Sequence, residues 1–223
     1  METKENSLIR EASLKVKHSL VGFASAIIPL SWSFLEADWN LSTNFYRALL
    51  CLFLTLIFGR SLFPPFFDVW WRAVVTGLGA SIGIFIIISP ELPGIWPFGI
   101  YLTILSVFHF LEYYVTGITN PSNLSTDSFL LNHSLQYWIA AGASWIEYFV
   151  EFYFLPDGIK DVTSVVMCGV VISIVGDILR KMAMFHAGKC LILLLNPSAL
   201  KFVFSKKATK IDKIFTVNLT LTT

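Results

Sequence analysis

Charge is scarce in this sequence. Asp, Glu, Lys and Arg make up 14% of its 223 residues, where an ordinary soluble domain carries about 25%. That shortage excludes a soluble globular domain, and a formal net charge of +1 leaves no basic surplus for neutralising phosphates, so no nucleic-acid partner is expected. Cysteine is rare as well: Cys51, Cys168 and Cys190 are scattered without metal-ligand spacing, so no metal site is expected, and a thiol inside an apolar run behaves as a small hydrophobe. A glycine-rich phosphate loop, GxSxG, HExxH and CxxC are all missing, which removes the local signatures of nucleotide, serine-hydrolase, zinc-peptidase and dithiol chemistry. No cleavable signal peptide is expected, because the polar opening from Met1 to Lys17 mixes acids with bases and no small-residue cleavage site follows the first apolar run.

What is present is apolar surface: 55% of residues are hydrophobic, with 20 Phe and 7 each of Trp and Tyr, the aromatic excess that lipid contact and interfacial anchoring select. Crossing about 30 Å of hydrocarbon takes roughly 17 to 25 apolar residues. Six stretches come close: Ser19 to Leu35, Asn44 to Phe58, Val69 to Ser89, Ile95 to Thr116, Phe129 to Phe149 and Val162 to Phe185. The expected fold class is all-α, a polytopic membrane protein with about six transmembrane helices and an irregular basic tail. Pro64-Pro65, Ser89-Pro90 and Pro121 punctuate the spans and stop helices near each. The third and fourth spans, separated by a short linker, should form a tight antiparallel hairpin.

Lys4, Arg10, Lys15, Lys17, Arg60, Arg72, Arg180, Lys181 and Lys189 fall on one side of this arrangement, which predicts a cytosolic amino terminus with even-numbered spans returning to the cytosol. The linker from Asn120 to Asp127 is then cytosolic, and its sequon at Asn123, like that at Asn132, should stay unglycosylated. Small residues make three packing stripes: Gly79 with Gly83, Ala140 with Ser144, and Gly169, Ser173 and Gly176. These let helix backbones approach and also offer faces for homo- or hetero-association.

Ionisable residues inside such spans need partners, because a charge at bilayer depth costs about 2.5 to 3.5 kcal/mol on the insertion scale. His109 and Glu112, three apart on the fourth span, project from one helical face. On the fifth, His133, Gln136, Ala140, Ser144, Glu147 and Glu151 share a side, and that side should not look at lipid. Two readings stand: His109, Glu112, His133, Gln136 and Glu147 hydrogen-bond one another and lock two helices together, or they line a cavity for a polar head group. Asp177 and Lys181 read as a solvated i, i+4 pair at a helix end, while Arg180 continues the glycine face and is the better candidate for an anionic group at the cytosolic surface.

Three runs carry a resemblance. SVFHFLEYYVTGITNP, LSTDSFLLNHSLQYWIAAGASWIEY and GDILRKMAMFHAG, within Ser106 to Gly188, resemble the isoprenylcysteine carboxyl methyltransferases of the endoplasmic reticulum. The resemblance implies a multi-pass endoplasmic reticulum protein that transfers a methyl group from S-adenosylmethionine to the carboxylate of a prenylated carboxy-terminal cysteine, the last step in processing a CaaX tail. Its partners would be membrane lipid and prenylated CaaX proteins, with the prenyl chain entering between helices such as the fourth and fifth.

After Gly188 the family continues into a cofactor-binding half with an arginine-histidine-proline signature, whereas Lys189 to Thr223 reads KCLILLLNPSALKFVFSKKATKIDKIFTVNLTLTT. The expected organisation is therefore 1–18 as a cytosolic amino-terminal segment, 19–188 as the transmembrane helical domain, and 189–223 as a divergent tail replacing the cofactor-binding half. That tail either lies on the membrane surface or forms a seventh span. No catalytic or cofactor-binding residue is expected in this chain, S-adenosylmethionine binding by it is not expected, and the chain alone should be inactive. The alternative is a non-catalytic membrane partner that binds prenyl lipid or the full-length enzyme.

Overall fold

The structure, a computed structural model of the chain, describes residues 2–33, 41–89, 92, 94–131, 134–154 and 163–195. It is all-α, with no strand among the described residues. Among the described residues the α-helices are, in order, α1 (Glu2–Ser33), α2 (Leu41–Leu62), α3 (Phe67–Ile88), α4 (Trp96–Thr119), α5 (Leu135–Phe154) and α6 (Thr163–Leu195). Three stretches are helical, long and apolar enough to cross a bilayer: Pro64–Ile88, Trp96–Thr119 and Thr163–Ala187.

Helix ends follow the prolines. A 3-10 turn at Pro64–Phe66 leads into α3, whose Asp68 sits in its first turn, where a carboxylate meets the positive end of the helix dipole. α3 stops at an extended Ser89, because the residue before Pro90 is pushed out of the helical region. α4 opens with Trp96-Pro97, a ring that needs no amide donor at that position, and closes at Asn120 ahead of Pro121. α1 runs unbroken from Glu2, so the polar opening and the first apolar run are one helix.

Register sets the helix directions. A Cβ on Gly77 would meet the Phe23 carbonyl and Ala26, and one on Gly22 would meet Trp70 and Ala73; α1 and α3 thus run parallel. Gly83 lies against Gly99 and Thr103 while Gly79 faces Ser106, so α3 and α4 form the antiparallel hairpin expected of their short link. Trp70 Nε1 donates to the Thr55 carbonyl at 3.2 Å, and the short link Phe63–Phe66 turns α2 back antiparallel to α3. Phe23 stacks on Phe110 at 4.0 Å. The core lies where α1, α3 and α4 meet: Val69, Ala73, Phe110, Tyr113 and Phe129 form one buried cluster, and Ala26, Trp70 and Val74 another.

The fifth helix begins later than hydropathy alone suggests. Residues Thr126–Phe129 form a 3-10 turn capped by Ser125, whose hydroxyl accepts from the Asp127 amide at 3.2 Å, and Leu130 turns the chain through φ 54°. α5 therefore starts at Leu135 rather than Phe129. Along it Gln136, Ala140, Ser144 and Glu147 are exposed, so the polar stripe expected to face protein is uncovered among the described residues. α5 instead meets α4 through aromatic rings: Phe98 lies 5.0 Å from Phe149 and 5.9 Å from Trp145. Among the described residues a Cβ on Gly169 or Gly176 of α6 would meet nothing within 4 Å, whereas Gly79 and Gly83 are seated against α4.

Two compact units divide the chain, residues 1–181 and 182–223. In the second, α6 continues to Leu195 and His186 Nδ1 donates to the Met182 carbonyl at 2.7 Å. The expected tail, 189–223, falls outside the described residues beyond Leu195.

Candidate functional site

Four charged side chains meet between α4 and α6, all within the first unit. Glu112, on α4, is 4% exposed. Arg180 grips it side-on, with Nε donating to Oε1 at 2.7 Å and Nη2 to Oε2 at 2.9 Å. This bidentate geometry suits a planar guanidinium and a carboxylate. Lys181 Nζ donates to the same Glu112 Oε1 and, at 2.8 Å, to Asp177 Oδ1. Two carboxylates and two cations sum to zero, which is how a carboxylate at this depth is tolerated. The Phe108 ring faces both cations, 4.7 Å from Lys181 Nζ and 5.8 Å from Arg180 Cζ, adding cation–π attraction.

These contacts correct two expectations. Glu112 finds its partners on α6, not on α5, because a full opposite charge in low dielectric outweighs a neutral hydrogen bond. Lys181 is 11% exposed, not a solvated helix end. Its signal was present in the sequence: a Lys one turn from an Asp within an apolar run has to be neutralised where it lies.

The other singled-out residues are placed separately. His109 is buried and its Nδ1 donates to the Phe129 carbonyl at 2.9 Å, tying the turn before α5 back to α4. Tyr113, one turn further along α4, stacks on the Phe129 ring at 4.0 Å. Gln136 and Glu147 are exposed on α5, away from Glu112, and His133 lies outside the described residues. Among the described residues no cluster of His, Cys, Asp or Glu has the makings of a metal site.

Beside the charged cluster a groove of about 500 Å³ runs between α4 and α6. Ile104, Leu105, Val107, Ile174 and Ile178 supply apolar wall, and Asp177 and Arg180 close one end. The groove is lined by residues 101–108 and 173–180, both stretches running up to the Glu112–Arg180 contact, so α4 and α6 run in the same direction. The groove is thus an apolar trough with a charged end, a shape that accepts an amphiphile whose head group is polar and whose tail is hydrocarbon. It lies between α4 and α6, whereas α4 and α5 meet through the rings around Phe98.

No family model matches the chain. Curated relatives do. Over 123 residues it is 41% identical to a protein-S-isoprenylcysteine O-methyltransferase of Tribolium castaneum, covering 55% of this chain and 43% of the relative. The Homo sapiens protein of the same name is 42% identical over 126 residues, covering 56% and 43%. That of Xenopus laevis is 35% identical over 185 residues, covering 81% and 63%. Among solved structures, a eukaryotic intramembrane Ras methyltransferase, an isoprenylcysteine carboxyl methyltransferase determined without a monobody, matches with a TM-score of 0.72 at 32% identity, over 78% of this chain and 63% of its own. The chain spans about half the length of the curated relatives it matches.

Proposed function

For a chain related in sequence and fold to the protein-S-isoprenylcysteine O-methyltransferases, we propose that the α4–α6 groove seats a prenylated carboxy-terminal cysteine, the substrate class of a carboxyl methyltransferase. The observation that carries the reading is the trough itself: apolar along its length and lined at its charged end by Arg180, which is half exposed and paired with Glu112. The prenyl chain lies along Ile104, Leu105, Val107, Ile174 and Ile178, and the carboxylate sits near the guanidinium. The protein resides in the endoplasmic reticulum membrane with its amino terminus in the cytosol, so the charged end of the groove faces the compartment that supplies prenylated CaaX proteins.

S-adenosylmethionine is the methyl donor that the family implies, and the described residues do not fit it. The groove offers hydrocarbon walls, while adenine, ribose and an amino acid head need several convergent polar groups. No step is derived through it. The arginine-histidine-proline signature that holds the cofactor in the family is absent from 189–223, and the chain alone is expected to bind substrate without turning it over. Incubating the purified chain in nanodiscs with labelled S-adenosylmethionine and an S-farnesylated cysteine derivative tests this: retained farnesyl ligand without methyl ester is expected, and clear ester formation would overturn it.

A second reading is a non-catalytic membrane partner, favoured by the uncovered Gly169 and Gly176 on α6 and the exposed polar side of α5. Such faces suit a protein neighbour better than lipid. Co-purification with a full-length methyltransferase would support it.

A further inference from the structure

Glu112 is served by two cations, one of which, Lys181, it shares with Asp177. The two differ in setting. Lys181 is 11% exposed and anchored by Asp177, whereas Arg180 is 52% exposed and lines the groove. Arg180 spends its Nε and Nη2 on Glu112, which is itself a carboxylate held bidentately, the same group a prenylcysteine would present.

We propose that Glu112 is an internal competitor for the ligand carboxylate, and that Arg180 is handed from Glu112 to the ligand when the groove fills. Lys181 remains behind on Glu112. The exchange is eased by that second cation: removing the only partner of a buried carboxylate leaves an uncompensated charge, whereas here the Lys181 bond persists and Asp177, which shares Lys181, is 24% exposed and so partly solvated. Phe108, which faces both cations, gives Arg180 a surface over which to swing. The arrangement keeps an empty groove charge-neutral in lipid and makes occupancy selective for ligands that replace one carboxylate with another. An ester, which cannot carry the charge, gains nothing from the exchange, so a methylated product would be released in favour of Glu112.

This rests on the groove being the prenylcysteine seat, and the experiment separates the two. The full chain in phosphatidylcholine nanodiscs is titrated with radiolabelled N-acetyl-S-farnesylcysteine and with its methyl ester. Wild type should prefer the acid, and Arg180→Gln should erase the preference; failure to bind either probe, or a preference untouched in Arg180→Gln, removes the seat. Glu112→Gln should tighten the acid by about five- to tenfold, the factor corresponding to loss of one partly exposed ion pair, and leave the ester unchanged. Lys181→Met, which leaves Arg180 as the remaining basic partner of Glu112, should weaken the acid selectively and provides a second measurement if Glu112→Gln folds poorly. With wild type still discriminating, an acid affinity that falls or stays constant in Glu112→Gln, or acid and ester moving together in both variants, overturns the exchange.

Discussion

Tyr113 shows how much a single residue in this fold depends on what surrounds it. Its ring is fully buried and stacked on Phe129, yet its hydroxyl has no hydrogen-bond partner among the described residues. A buried hydroxyl left unsatisfied costs about 1 to 3 kcal/mol, so Tyr113→Phe is expected to raise the melting temperature in detergent, by the equivalent of about 1 kcal/mol. A lower melting temperature would show that the hydroxyl has a partner in the folded protein. At this scale the sequence was partly readable. His109 and Glu112 stand out because ionisable groups are rare in apolar spans, but nothing local says that Glu112 pairs with Arg180, 68 positions away, while His109 meets a backbone carbonyl. Spacing identifies residues that need partners; only the packing of helices distant in sequence chooses them.

Among the elements, the α3–α4 hairpin is where glycine spacing and structure agree. A Cβ on Gly83 would lie 2.6 Å from the Gly99 carbonyl oxygen and 2.8 Å from the Thr103 amide nitrogen, backbone atoms that cannot rotate aside. Gly83→Ala is therefore expected to destabilise the hairpin by about 1 to 3 kcal/mol, the usual range for overpacking, seen as a melting temperature lower by roughly 3 to 10 °C. Gly169→Ala, with nothing within 4 Å, should leave it unchanged or slightly higher, since alanine is the better helix former. Equal losses at both positions would place a neighbour against α6. The same small-xxx-small pattern thus means contact in α3 and an open face in α6, because the pattern permits close approach without supplying the helix that approaches. The start of α5 was hidden for a different reason. Phe129 to Leu131 is apolar enough to extend a span, but Ser125 caps a 3-10 turn and Leu130 adopts a left-handed backbone, a local choice that hydropathy does not register.

For the whole molecule, the alternation of helix directions is the strongest constraint on orientation. α1 and α3 are parallel, α2 and α4 oppose α3, and α6 follows α4 (from Gly22 with Ala73 and Gly77 with Phe23, the short Phe63–Phe66 link, Gly83 with Gly99 and Gly79 with Ser106, and the groove walls that run up to Glu112 and Arg180). The amino end of α1, the α2–α3 turn and the end of α4 must therefore share one membrane side. Lys15, Arg60 and Arg72 lie on that side, and the proposed cytosolic orientation rests on that excess of basic residues. Asn123 tests the assignment. It is exposed, in the turn just after α4, and begins the sequon Asn123-Leu124-Ser125, so a lumenal location would present it to the glycosylation machinery. Expressed in microsomes, the chain should show no endoglycosidase-sensitive mobility shift attributable to Asn123, and Asn123→Gln should migrate like the parent. A shift that vanishes in Asn123→Gln would invert the whole bundle. The charged end of the α4–α6 groove would then face the lumen, away from prenylated cytosolic proteins, and the proposed substrate would fall with the orientation.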